Sequence, residues 1–325
     1  MDKKVKSVLK YTLSLALAAV LVWFAFRSVD WSAFLEGLKQ TRWGYIALFI
    51  VASVGALVFR MFRWKALLKP VDDSVRNITV WDANNVGNLT NVVLPGSGEF
   101  VRCGYVATGK ARFENVFGTA VMERIWDIMA IVVLFVLALS LNGERFGSFF
   151  AENIWNPLLQ KAGSSIWWII AAVCIVLAAA AWAIWHFRDR SRICRKTVDA
   201  FAGLFKGFGS FRDMNRKWLF GLYTVLIWLM YVLMSWFVLK AIPELDGLGF
   251  VDALFVSAVG NIASVIPVPG GIGAYHYLVA LTLSSIYTST WATGLLFATL
   301  SHELHAVLII ILGLASYLRF SLRKK

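Results

Sequence analysis

The sequence predicts an all-α, polytopic integral membrane protein. It should have six full spans and two re-entrant hairpins, each broken at a Pro-Gly pair, in an inverted repeat. Three observations lead there. Hydrophobic residues make up 59% of the 325, with 15 tryptophans and a mean hydropathy of +0.69, more apolar and aromatic surface than a soluble domain carries. One unusual phrase occurs twice, 173 residues apart: Val86-Gly87-Asn88 leads to Pro95-Gly96, and Val259-Gly260-Asn261 leads to Pro269-Gly270. Basic residues, finally, collect on alternate connecting segments.

Full spans are expected at roughly 8–26, 43–62, 115–141, 166–187, 218–240 and 291–318. Each offers about the 20 apolar residues that a hydrocarbon core of about 30 Å requires. The first follows Lys3, Lys4 and Lys6, as a signal peptide would. Its apolar run continues through Trp23-Phe24 without a cleavage motif, so an uncleaved span is expected. The hairpins cover about 78–105 and 250–285. Proline removes a backbone donor and glycine loosens the helix, so each Pro-Gly should interrupt a helix at membrane depth. Paired breaks in the two halves of a membrane protein point to a transport site where the repeats meet. Residues 30–40 and 195–211 read as amphipathic interfacial helices, the second basic enough to rest on an anionic leaflet. No stretch accommodates a separate soluble domain of about 100 residues, so 1–325 reads as one membrane domain.

Charge sets the expected orientation. With both termini in the cytoplasm, the inner segments 1–10, 59–76, 99–114, 188–217 and 319–325 hold 25 of the 32 Lys and Arg. The outer segments hold six, and Arg124 lies within a span. This is the positive-inside pattern of a bacterial-type inner membrane protein. The net charge of +13 is thus a topology signal, and no nucleic-acid partner is expected. Cys103, Cys174 and Cys194 follow no metal-ligand spacing, and no disulfide framework is expected.

Ionisable groups inside a bilayer are costly and mark candidate sites. Glu123, Arg124 and Asp127 lie in the third span, where the two carboxylates share a helix face. They are either an internal salt bridge or a substrate contact. After the first break, Gly96-Ser97-Gly98 runs into a helix start whose free N–H groups suit a phosphate, with Glu99 either a substrate contact or a plain helix cap, and Arg102 one turn on. After the second, Gly270-Gly271 leads to His276, a group that titrates near neutral pH or is simply a buried, bonded histidine. Asn88 and Asn261 hold matching repeat positions. They either satisfy backbone groups freed by the breaks or frame a shared cavity. In the last span, Glu303 with His302 or His305 forms a proton-linked candidate. His302 and His305 lack the HExxH spacing, and neither a metal nor a cofactor is expected.

Three runs carry a resemblance: Asn91 through Arg102, Met122-Glu123-Arg124-Ile125-Trp126-Asp127, and Pro269-Gly270-Gly271-Ile272-Gly273. Together they resemble, over nearly the whole chain, the flippase-like family of the lysylphosphatidylglycerol synthase transmembrane region. In bifunctional members a membrane part moves the lipid and a soluble domain attaches the amino acid. This chain is similar to the membrane part alone. The resemblance implies translocation of an anionic lipid, a phospholipid or a polyprenyl-phosphate-linked molecule, without synthesis. One departure is His276, which stands where many members carry a glutamate. A homo-oligomer or a lipid-synthesising enzyme would be the protein partner. The rival readings are a membrane-embedded lipid-phosphate enzyme, with Glu123, Asp127 or a histidine as acid or base, and an accessory scaffold.

Overall fold

The computed structural model describes residues 30–94, 96–107, 111–152, 156, 186, 212, 214, 216–263 and 271–323. The expected spans at 8–26 and 166–187 (His186 apart) and the helix at 195–211 lie outside them, as do Pro95 and residues 264–270. All regular structure among the described residues is helical. Among the described residues, four helices are long and apolar enough to cross a membrane: α2 (Trp43–Leu68), α5 (Phe113–Leu141), α7 (Lys217–Ala241) and α10 (Trp291–Arg323).

A short helix, α1 (Trp31–Gln40), precedes them. The Asp30 side chain accepts from the backbone N–H groups of Ser32 and Ala33 at 3.0 and 3.1 Å, satisfying two donors that a helix start leaves open. Phe34 is buried, and Gly37 lies against Leu296 of α10. The amphipathic pattern at 30–40 thus becomes a helix docked on the last span.

Between α2 and α5 lie α3 (Asn77–Val93) and α4 (Gly98–Val106). The short α6 (Gly143–Phe150) follows α5, and between α7 and α10 lie α8 (Phe250–Ala263) and α9 (Ala274–Tyr287). At about 1.5 Å per residue, the longest of α3, α4, α8 and α9 reaches only about 26 Å. The first pair parts where Leu94, the residue before Pro95, turns extended at φ −131°, as the residue before a proline is biased to do. Gly96 then adopts φ +79°, a left-handed conformation for which glycine has no steric penalty. Gly271 and Gly273 adopt φ +77° and +86° ahead of α9, so the second break uses the same chemistry.

The two halves pack reciprocally. α2 and α7 form the most extensive helix pair and run antiparallel: Ser53 lies on Met234, Phe62 on Tyr223, and Arg42 N–H donates to the Ala241 carbonyl at 2.8 Å. Buried Ala52, Ser53 and Ala56, with Gly55 against Met230, keep these helices close. Small residues at such crossings suit a membrane interior, where burial of apolar area gives little drive and packing decides. α3 lies along α10, and α8 lies along α5. Each half therefore sets the first helix of its broken pair against the last span of the other.

The expected second span, 43–62, ends too early. α2 continues to Leu68, carrying Arg60 and Arg63 into the bundle, with Arg63 and Trp64 wholly buried. Hydropathy falls after Phe62 because of these arginines, yet the carboxylates facing Arg63 make its burial tolerable.

Candidate functional site

The first polar site gathers α2, α3, α4 and α5 at the first break. Arg63 reaches Glu123 Oε1 at 3.0 Å and Asp127 Oδ1 at 2.7 Å. Arg102 pairs with Glu99 at 2.6 Å and Glu123 at 2.7 Å, and donates to Asn84 Oδ1 at 3.1 Å. Its guanidinium lies 4.4 Å from the centre of the Trp64 ring, within cation–π range. Arg124 donates to Glu99 and lies 3.4 Å from Asp127. Arg63 and Glu123 are fully buried, and Arg102 nearly so, while the Arg124 side chain is 41% exposed. A buried charge is tolerated only when paired; Arg63, Arg102 and Glu123 are each ion-paired here, while Arg63 Nη1 has no hydrogen-bond partner among the described residues.

Arg60 borders the same site and donates to Tyr231 Oη at 3.2 Å. Among the described residues, four guanidiniums thus face three carboxylates (Glu99, Glu123, Asp127), which leaves one positive charge uncompensated within the cluster. The cavity among Arg60, Asn84, Gly87, Asn88, Arg102 and Arg124 has only about 10 Å³ of free room, about one water. Nothing the size of a headgroup fits until these ion pairs rearrange.

The break itself is tightly built. Asn91 Oδ1 accepts from Gly98 N–H at 2.8 Å, and Ser97 Oγ donates to the Leu94 carbonyl at 2.6 Å. A methyl group on Gly98 would sit 2.2 Å from the Gly87 carbonyl oxygen, so α3 and α4 cross where both residues lack side chains. One N–H of the α4 start, expected to face an anion, is thus taken by Asn91. Glu99, expected as a substrate contact or a helix cap, binds Arg102 and Arg124.

The second polar site lies at the second break. His276 on α9 and His302 and Glu303 on α10 converge, with His276 Nε2 3.5 Å and His302 Nδ1 3.1 Å from Glu303 Oε1. Tyr275 Oη and Ser301 Oγ are 3.0 Å apart, and Gly271 lies against the His302 ring. An adjoining cavity of about 230 Å³ is lined by Tyr231, Ser257, Gly260, Asn261, His302 and His305, among others. Asn261 donates to the Ser257 carbonyl at 2.8 Å. Asn84, Gly87 and Asn88 in the first cavity match Ser257, Gly260 and Asn261 in the second at the 173-residue offset. The two cavities are built from the same repeat positions, and the Arg60–Tyr231 contact joins a lining residue of each.

The structure thus brings Glu99, Arg102, Glu123, Arg124 and Asp127 together, with Gly96, Ser97 and Gly98 at the adjoining turn and Asn88 on the cavity wall. It brings His276 to His302 and Glu303. His305 lines the same cavity as His302 but places its Nδ1 2.9 Å from Ser53 Oγ on α2. Gly270 lies outside the described residues. Sequence reasoning missed Arg60 and Arg63. Their signal was a stripe at helical spacing, Ala56, Arg60, Arg63 and Leu67, in which two arginines occupy positions of a buried face.

Apolar helices of spanning length arranged around paired, buried charges define an integral membrane protein. The lysylphosphatidylglycerol synthase TM region matches residues 11–313. The chain belongs to that family, which ties it to membrane lipid. No curated protein and no solved structure matches it.

Proposed function

We propose that this protein translocates an anionic lipid between leaflets, by alternating movement of two inverted halves. The observation that carries the reading is the pair of polar cavities built on matched repeat positions, one beside an arginine-rich cluster with an uncompensated positive charge. Antiparallel α2 and α7 fit repeats of opposite orientation. Helix pairs too short to span fit re-entrant hairpins entering from opposite faces, with both termini cytoplasmic. Discontinuous helices at the midplane are where transporters of this construction hold substrate.

In this mechanism a phosphate displaces Glu99 from the half-exposed Arg124. Arg–phosphate contacts are planar and bidentate, so the exchange keeps the guanidinium paired. Arg102 and Arg63 hold Glu123 in place meanwhile, so no carboxylate is left alone in a low dielectric. The acyl or prenyl tails stay in lipid. The near-closed first cavity then represents a resting state, opened by the headgroup.

The test is reconstitution of the full chain into vesicles carrying fluorescent phosphatidylglycerol or polyprenyl phosphate, with an impermeant quencher outside. Translocation lets the quencher reach the inner-leaflet pool. The expected result is faster loss of protected signal for an anionic lipid than for phosphatidylcholine, reduced by Arg124→Gln. No acceleration for any anionic lipid would overturn the reading, and a chemically altered lipid would favour the enzyme.

A further inference from the structure

We propose that His276, His302 and Glu303 form a binding site for one zinc-class transition-metal dication, clamping α9 to α10. Their ligating atoms all lie within 4.8 Å of one another. Bonds of about 2.1 Å to a tetrahedral zinc put neighbouring ligand atoms about 3.4 Å apart. The observed separations, 3.5 Å for His276 Nε2 to Glu303 Oε1 and 3.1 Å for His302 Nδ1 to the same oxygen, bracket that value.

The alternative is a metal-free hydrogen-bonded trio. The His302 contact is short enough for one, but 3.5 Å from His276 lies beyond the N–H···O range of 2.7–3.2 Å. Two imidazoles converge on a single carboxylate oxygen at 3.5 and 3.1 Å, the spacing of ligands around a common centre. His302 and Glu303 are also successive residues on a helix, which ordinarily diverge. Here both bend towards His276.

Donor chemistry selects the ion. Two imidazole nitrogens and one carboxylate suit zinc, cobalt, nickel or ferrous iron, whereas magnesium and calcium prefer oxygen throughout. The cavity of about 230 Å³ beside His302 has room for a water as fourth ligand. His276 is held by its place in the first turn of α9, directly after the left-handed Gly273, and is 2% exposed. The ion would therefore tie the second break to the last span.

The experiment strips the detergent-purified full chain with a chelator and titrates it with Co²⁺, then Zn²⁺. One ion per chain is expected, with the intense visible absorption of low-coordinate Co²⁺ and a raised thermal midpoint. His276→Ala and His302→Ala should each weaken binding by more than about 100-fold, since even residues that merely orient ligands affect affinity about 10- to 100-fold. Glu303→Gln, close to isosteric, should change the Co²⁺ spectrum and weaken binding if an alanine variant fails to fold. His305→Ala, whose imidazole serves Ser53, should retain it. No stoichiometric binding by the unaltered chain overturns the proposal, as does binding that both histidine variants retain. The titration contains no lipid substrate, so its failure leaves the translocation reading standing.

Discussion

At the residue scale, the arginines of the first site divide by exposure. Arg102 is buried between two carboxylates, so Arg102→Gln should destabilise the fold by roughly 3–5 kcal/mol, because breaking a buried pair strands charge. Chemical or thermal unfolding in detergent would measure this. Arg124→Gln should destabilise much less, since Glu99 keeps Arg102 and Asp127 keeps Arg63 as partners. It should instead weaken anionic-lipid binding by roughly 1.5–3 kcal/mol, or about 10- to 150-fold. Equal stability losses in the two variants would contradict the division. The sequence marked Glu123, Arg124 and Asp127 through their cost at membrane depth, and the structure joins all three to Arg63 or Glu99. It could not show that Arg63 was their partner, because the partner lies 60 residues away and hydropathy alone ended the span before it. Nor could spacing join His276 to Glu303, which are related only by the packing of α9 on α10.

At the element scale, boundaries were readable wherever punctuation was strong. The helices at 31–40, 113–141, 217–241 and 291–323 fall within a few residues of expectation, because caps, prolines and apolar runs agree locally. The break at Pro95-Gly96 was readable for the same reason, but its tightness was not. Gly98→Ala should cost roughly 1–3 kcal/mol through overpacking against Gly87 and Asn91, while Gly104→Ala, where the added methyl meets nothing within 4 Å, should not destabilise. Thermal midpoints of the two variants check this. A second element-level device lies in the α7–α8 connection, where Asp246 binds Arg42 at 2.7 Å and Lys240 at 3.3 Å. The hydrogen bond from Arg42, then that from Lys240, holds its carboxyl below the usual range. A depressed carboxylate stabilises the fold above its ordinary value of about 4 and stops doing so as pH falls through its folded one. The unaltered chain should therefore melt above Asp246→Asn at pH 7, and that gap should close on acidification. A gap independent of pH would remove the carboxylate from the account.

At the scale of the whole molecule, the reciprocal packing makes a topological prediction. In a background without native cysteines, Thr108→Cys and Arg190→Cys should react with an impermeant reagent from the cytoplasmic side, and Gly247→Cys only from the other. A cysteine at Gly247 meets no neighbour within 4 Å, so the probe does not disturb packing. Labelling of 108 and 247 from the same side would end the inverted arrangement. The Arg60–Tyr231 contact acquires a further meaning in that arrangement. If translocation opens each cavity to its own face in turn, this one hydrogen bond would stand between the two hydrated cavities as a thin insulating layer. The transmembrane voltage, worth about 2.3 kcal/mol per unit charge per 100 mV, would then fall mostly across this thin septum instead of the full bilayer. A charged headgroup would meet nearly the whole electric field in a single step there, and its crossing rate should respond to an imposed diffusion potential.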